Sequence, residues 1–336
     1  AVPGADKDVA DHSAIGVLVF DIDDRHRLVR RLTPWPSPAG GEGEHVRGIA
    51  ADAGTRRLYL STVGRLAAID LATDRLVWER TYDGHCCDRL DVSPNGRIIY
   101  APALGRPKWY AIDARDGAVI ATIDVMGWPR QAIYSRDGLH AYLSAWESSV
   151  LSVADTRTHR VIREVGPFSN SVCPFTIDGR EAVAYANVDG LVGFEAGDLR
   201  SGLLLDRVIA EDSDAGAWPT YECPSHGIGL TPDERELWVA DGVSNRLRIF
   251  NATTYPPVAA RTLHLRAQPR WITFSIDGRY AYASSGDVID ARTKALVGAL
   301  VNELGAPVRS EKLVEIDFAG DRPVRAGRHV SVGGKR

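Results

Sequence analysis

Short apolar runs punctuate this chain at regular intervals, and each leads into the same series of polar signals. The runs at 89–92 and 271–274 are followed by Ser-Pro-Asn-Gly (93–96) and Ser-Ile-Asp-Gly (275–278), with Ser-Arg-Asp-Gly (135–138) in the same role between them. These are tight-turn sequences, because Gly accepts a positive φ and Asn or Asp bonds its own backbone. An alternating stretch comes next, as at 98–101 and 141–144. A third run then closes on an apolar residue and an acid: Ile69-Asp70, Ile112-Asp113, Ala154-Asp155, Phe194-Glu195 and Ile289-Asp290, with Phe250-Asn251 as the amide variant. A fourth stretch, such as 75–81 or 119–125, completes the unit. Period-two alternation broken by short turns predicts a four-stranded antiparallel meander for each unit.

Six units share one register. From Arg47, Asp88, Arg130, Ser171, His226 and Arg270, the residue eight positions on is Thr55, Gly96, Gly138, Gly179, Glu234 and Gly278, and four further on stand Tyr59, Tyr100, Tyr142, Val183, Trp238 and Tyr282. Successive units are 41, 42, 41, 55 and 44 residues apart, in the range at which propeller blades recur. The fold expected is all-β, a β-propeller with blades near 45–82, 83–125, 126–166, 167–211, 224–265 and 267–300. Residues 14–33 match a third and fourth strand, including Phe20-Asp21, and 309–332 supply a further strand pair at 312–318 and 324–330. Two strands from each terminus predict a seventh blade, closing residues 1–336 into one seven-bladed domain without open sheet edges.

Two segments carry a family resemblance. Ser225-His226-Gly227-Ile228-Gly229-Leu230-Thr231-Pro232-Asp233 and Val288-Ile289-Asp290-Ala291-Arg292-Thr293 resemble the repeat motifs of YVTN-type seven-bladed β-propellers, a likeness that extends over roughly 14–332 and is poorest in the fourth unit. The resemblance implies the fold. That family includes surface-layer-like and periplasmic binding proteins, and related propellers include lactonases and a streptogramin lyase, but none of their catalytic motifs maps onto this chain.

A formal net charge of -4 gives no global attraction to nucleic acid or anionic lipid, so nucleic acid is not an expected partner. No apolar run reaches the 18 residues of a spanning helix, and the chain begins with Ala, which suggests a removed leader and a periplasmic or secreted location, with the cytoplasm as the alternative. Of the four cysteines, Cys86 and Cys87 are adjacent, while Cys173 and Cys223 flank equivalent points of neighbouring repeats. A 173–223 bridge is therefore geometrically allowed, with buried thiols as the alternative.

Chemistry is expected where the first strands converge on the axis. Arg47, Arg130 and Arg270 there would repel one another unless an anion, Asp88 or water separates them, and Arg suits planar grip on carboxylate or phosphate. The alternative is that each Arg pairs with a neighbouring blade. His226 with Asp88 forms a candidate acid-base pair. Six of eight Trp (Trp35, Trp109, Trp128, Trp146, Trp218, Trp271) fall in or beside loops expected over the mouth, with Trp128 and Trp271 as candidate walls. His85 and, in the long loop at 210–224, Tyr221 and Glu222 are further candidates; the other long loop spans 33–44. His45, His85 and His226 are the candidate ligands of a divalent metal, although no local ligand spacing supports one; no other cofactor is expected. The functional expectation is an enzyme of lyase, hydrolase or isomerase type acting on a small anionic, partly aromatic molecule. The competing expectations are a non-catalytic scaffold for a protein or envelope partner and a metal-dependent enzyme. Asn251-Ala252-Thr253 fits a glycosylation sequon but sits in a blade turn.

Overall fold

The structure is a computed structural model and describes residues 16–35, 45–83, 88–103, 105–211 and 223–334. Every regular element named among them is a strand. Six four-stranded antiparallel sheets follow one another along the chain, each a simple meander, and together they form a β-propeller. Blade 1 runs from β3 (Gly48–Asp52) to β6 (Leu76–Thr81), blade 2 from β7 (Asp91–Val92) to β10 (Val119–Asp124), and blade 3 from β11 (Trp128–Tyr134) to β14 (Arg160–Val165). Blade 4 spans β15 (Val172–Ile177) to β18 (Leu204–Ile209), blade 5 β19 (Gly227–Leu230) to β22 (Val258–His264), and blade 6 β23 (Ile272–Phe274) to β26 (Leu296–Ala299). The first strand of each faces the axis and the fourth lies at the rim. Accordingly β15 is buried along its whole length, whereas β18 and β22 are largely exposed.

Local chemistry explains the repeat. Asp70, Asp155 and Asp290 each cap the turn after their strand, accepting the backbone N–H groups of Thr73 at 3.1 Å, Thr158 at 2.8 Å and Thr293 at 2.6 Å. Such side-chain bonds hold a turn that the backbone alone leaves unsatisfied. Asn251 does the same for Thr253, whose hydroxyl also bonds the Asn251 amide oxygen at 2.7 Å. Large side chains fill the space between neighbouring sheets: Tyr100 and Trp109 of blade 2 pack with Tyr134 and Leu143 of blade 3.

Blade 4 departs from the gap-free register. The backbone bond from Asp178 N to Val183 O matches that from Ser135 N to His140 O, so two extra residues precede this turn. Glu181, at φ 54°, stands where blade 3 has Gly138, and buried Tyr185 takes the place expected of Val183. The capping acid is Asp198, bonded by Ser201 N at 2.9 Å, not Glu195. Cys173, not Ser171, is thus the counterpart of Arg130.

The chain ends depart further. β1 (Val17–Asp21) and β2 (Arg27–Leu32) form one two-stranded sheet, and β27 (Ile316–Ala319) and β28 (Arg322–Ala326) another, with no ladder between the two among the described residues. The expected four-stranded closing sheet is not made, and the last strand stops short of 330. Residues 327–334 instead leave the hairpin and cross the foot of the channel as a strap. Trp271 Nε1 and Thr273 Oγ1 donate to the carbonyl of His329, both at 3.1 Å. Thr176 Oγ1 and Leu230 N donate to Ser331 O at 2.6 and 3.1 Å, and Gly333 N donates to Ile177 O at 2.9 Å. Blades 4, 5 and 6 therefore hold the strap, and Arg328 adds blade 3 by donating to Tyr134 O at 2.8 Å. The approach is too close for side chains at two points: a Cβ on Gly229 would lie 2.7 Å from Ser331 Cβ, and one on Gly334 2.1 Å from Pro232 O.

Candidate functional site at the mouth of the channel

At the opposite end of the same strands, charged side chains converge. Asp88 and Arg89 precede β7, Arg130 lies near the start of β11, and His226 and Arg270 precede β19 and β23. The position that no repeat supplies is filled by Glu311 and Lys312, from the irregular segment before β27. Glu311 is the hub: its carboxylate lies 2.6 Å from Arg89 Nη2, 3.1 Å from Arg270 Nε, 3.7 Å from Lys312 Nζ and 3.7 Å from His226 Nδ1. Asp88 lies 3.3 Å from Lys312 Nζ and 3.5 Å from Arg89 Nη1. Asp88 thus serves the cations, and the acid beside His226 is Glu311.

Charge is not balanced here. Arg89, Arg130, Arg270 and Lys312 face two carboxylates, an excess of two positive charges among the described residues. Arg130 forms no ion pair with a carboxylate among those residues; its guanidinium lies over the Trp146 ring at 5.6 Å. Arg89 has its Nε buried without a hydrogen-bond partner, and its side chain is only 4% exposed. Burial alone would raise the Asp88 carboxyl, but Lys312, Arg89 and Arg130 outweigh it and hold the group at about 2. Burial likewise opposes ionisation of Glu311, yet the Arg89, Lys312 and Arg270 cations keep it well below the usual carboxylate range. Lys312 is drawn down from the ordinary ammonium value by burial and by Arg89. Burial, reinforced by Arg89, Arg270 and Arg130, pushes His226 well below 6.5 against the pull of Glu311, so the ring is neutral. Its Nδ1 lies 3.3 Å from the Arg270 carbonyl. A carbonyl can only accept, so this contact places the proton on Nδ1 and leaves Nε2 as the basic nitrogen.

The aromatic residues divide. Trp128 and Trp146 are direct neighbours across β11 and the next strand, and both are exposed at the rim, at 39% and 38%. Trp271 is buried beneath the cluster, with Arg89 and Lys312 5.1 and 5.8 Å from its ring centre. Trp35 and Trp109 are instead core residues, Trp35 donating to Glu79 at 2.7 Å. Arg47 is exposed and makes no ion pair with the cluster. Ser171 accepts the Glu147 N–H at 2.9 Å, a structural bond. Cys173 and Cys223 form a disulfide joining blade 4 to the segment that leads into β19, with Cα atoms 6.3 Å apart. His45 is half-buried, its Nδ1 without a partner. His85, Cys86, Cys87, Trp218, Tyr221 and Glu222 lie outside the described residues. Among the described residues no three His, Cys, Asp or Glu side chains converge as metal ligands.

Arg89, Glu311 and Lys312 were not found by the repeat. Arg89 is one residue beyond the register position, and its φ of 33° marks the irregular backbone that brings both it and Asp88 to the axis. Glu311 and Lys312 belong to no repeat; their only signal is an ionic pair directly ahead of the apolar Leu313-Val314. The chain matches no protein-family model and no curated protein.

Proposed function

We propose that the mouth binds a small anionic, partly aromatic molecule and acts on it as an enzyme of lyase, hydrolase or isomerase type. The observation that carries this reading is the excess of two positive charges in a largely buried cluster under an aromatic rim, with Arg130 free of any carboxylate partner among the described residues. Arg130 and Arg270 would hold the anion, Trp128 and Trp146 would flank its aromatic part, and neutral His226 would accept a proton at Nε2 while Glu311 stabilises the imidazolium that results. The architecture suits the YVTN-type family, with the two hairpin sheets as halves of a seventh sector: β1 and β2 residues share apolar clusters with blades 1 and 6, and Ile316 and Ala326 pack against the first of these. The disulfide suits an oxidising, periplasmic or secreted setting.

Isothermal titration with phosphate and with benzoate tests the reading. At least one should bind, and Arg130→Ala should weaken it about tenfold, near 1.4 kcal/mol. Failure of both anions to bind wild type overturns it. The scaffold reading rests on one observation, the apolar outer edge of blade 4, where Leu203, Leu204, Leu205 and Ile209 are 64, 41, 41 and 59% exposed. It gains if Leu204→Lys abolishes partner capture while anion binding persists. Elemental analysis of the purified protein tests the metal alternative at His45, His85 and His226.

A further inference from the structure

Below the mouth, the strap does not fill the whole channel. A cavity of about 410 Å³ remains between it and blades 1 to 3, walled by apolar residues such as Leu90, Ile133 and Val330. This volume falls in the range of small-molecule pockets, roughly 300–1,000 Å³. Polar groups line it as well. His329 lines it, is only 4% exposed, and has neither ring nitrogen hydrogen-bonded. Its ring is held in place by stacking on Trp271, with centres 4.6 Å apart and planes 9° from parallel. Asp91 also lines it, one oxygen accepting Val92 N at 2.9 Å and the other Tyr134 N at 3.0 Å. Each oxygen keeps a further lone pair. The wall carries Asp52 and Asp91 against Arg325 and Arg328, and Arg325 is itself paired with Asp317 at 2.7 Å, so the lining holds no surplus of positive charge.

We propose that this cavity is a second binding site, separate from the mouth, for an uncharged molecule with a compact apolar body and a hydroxyl or primary amide head. Buried polar groups without partners are costly, and a neutral imidazole offers a donor on one nitrogen and an acceptor on the other, on diverging sides of the ring, so a hydroxyl or amide head can satisfy whichever of them faces the cavity. Burial, helped by Lys312 and Arg89, pushes His329 well below 6.5, in keeping with a neutral ring. Without a surplus of positive charge the lining does not attract an anion, in contrast to the mouth.

The test uses the intact protein with histidine ring nitrogens labelled by ¹⁵N, titrated with benzyl alcohol, benzamide, benzoate and benzylamine. Benzyl alcohol or benzamide should saturably shift the His329 signals, and the two charged probes should do so at least tenfold more weakly. His329→Phe, which keeps the stack on Trp271, should weaken the neutral probes about tenfold by calorimetry, and Arg130→Ala should leave them unchanged. His329 signals unmoved by both neutral probes would overturn the proposal even if the Phe variant fails to fold. So would equal response to benzoate, or unchanged affinity in a folded Phe variant. Benzoate that shifts His226 but not His329 supports both sites, whereas neutral binding without any anion binding sinks the mouth and spares the cavity.

Discussion

The same six inner strands end twice, and the two ends are finished by different chemistry. At the foot, a glycine-containing strap lies across the axis and its backbone and Ser331 satisfy donors from the surrounding blades. Shape decides what fits there, since a single added methyl on Gly229 would collide with Ser331. At the mouth, side chains carry full charges, two carboxylates pair with three of the four cations, and solvent still reaches the acids at 14% exposure. The strap spans the foot, whereas the mouth keeps a surplus of positive charge among the described residues.

If the mouth is one connected network, its hub should matter most. Glu311→Gln leaves Arg89, Arg270 and Lys312 without their shared acid, and breaking a buried pair of this kind costs about 3–5 kcal/mol. The urea midpoint should fall accordingly. Among the described residues the same change raises the charge excess from two to three, so phosphate should restore more stability to the variant than to wild type. An unchanged midpoint would mean that solvent, not Glu311, keeps the cations apart.

How far the sequence disclosed each end follows from this contrast. Strand-turn periodicity, glycine turns and the capping acids are local, so the meander and six blades were legible from the residues alone. Asp88, Arg130, His226 and Arg270 were legible as neighbours because four blades keep the register without insertion. Blade 4 misled because two extra residues precede its turn, which shifted Cys173 to the place given to Ser171. The strap, Arg89, Glu311 and Lys312 were illegible for a different reason: contacts between distant parts of the chain, such as that of Arg89 with Glu311 across 222 residues, leave no periodic trace. The pairing of Cys173 with Cys223 was open on spacing alone.

The foot should answer to volume where the mouth answers to charge. Gly229→Ala places a methyl 2.7 Å from Ser331 Cβ at a site whose backbone needs no special φ, so the cost is overpacking, about 1–3 kcal/mol. Phosphate should not rescue it. Rescue by phosphate would show that strap and mouth are coupled, and the contrast between the ends would fail.

Acid should strike both ends through one histidine each. His226 and His329 are neutral in the fold, whereas in the unfolded chain each takes a proton below about 6.5. Lowering the pH therefore favours the unfolded state: stability is intact above about 6.5 and declines below it, by up to about 1.4 kcal/mol per pH unit for each ring. Asp88 and Glu311, held low in the fold, extend the loss below about pH 4. Denaturant melts from pH 7 to 5 should show the slope, and His226→Gln and His329→Phe should each lower it by about one proton. If only one does, the two ends do not share this sensitivity.

The smallest expected effect separates the rim from the axis. The Arg130 guanidinium rests on Trp146, a contact worth about 0.5–1 kcal/mol at an exposed site. Trp146→Ala should thus barely change stability, but it frees Arg130 to leave its position. Phosphate, which uses only the charge, should bind about two- to fivefold more weakly by calorimetry. Benzoate should lose more, because an aromatic acid forfeits a ring contact as well as a positioned guanidinium. Equal losses for the two anions would reduce Trp146 to a support for Arg130, and no loss for either would remove the rim from the site and leave the anion to the buried cations alone.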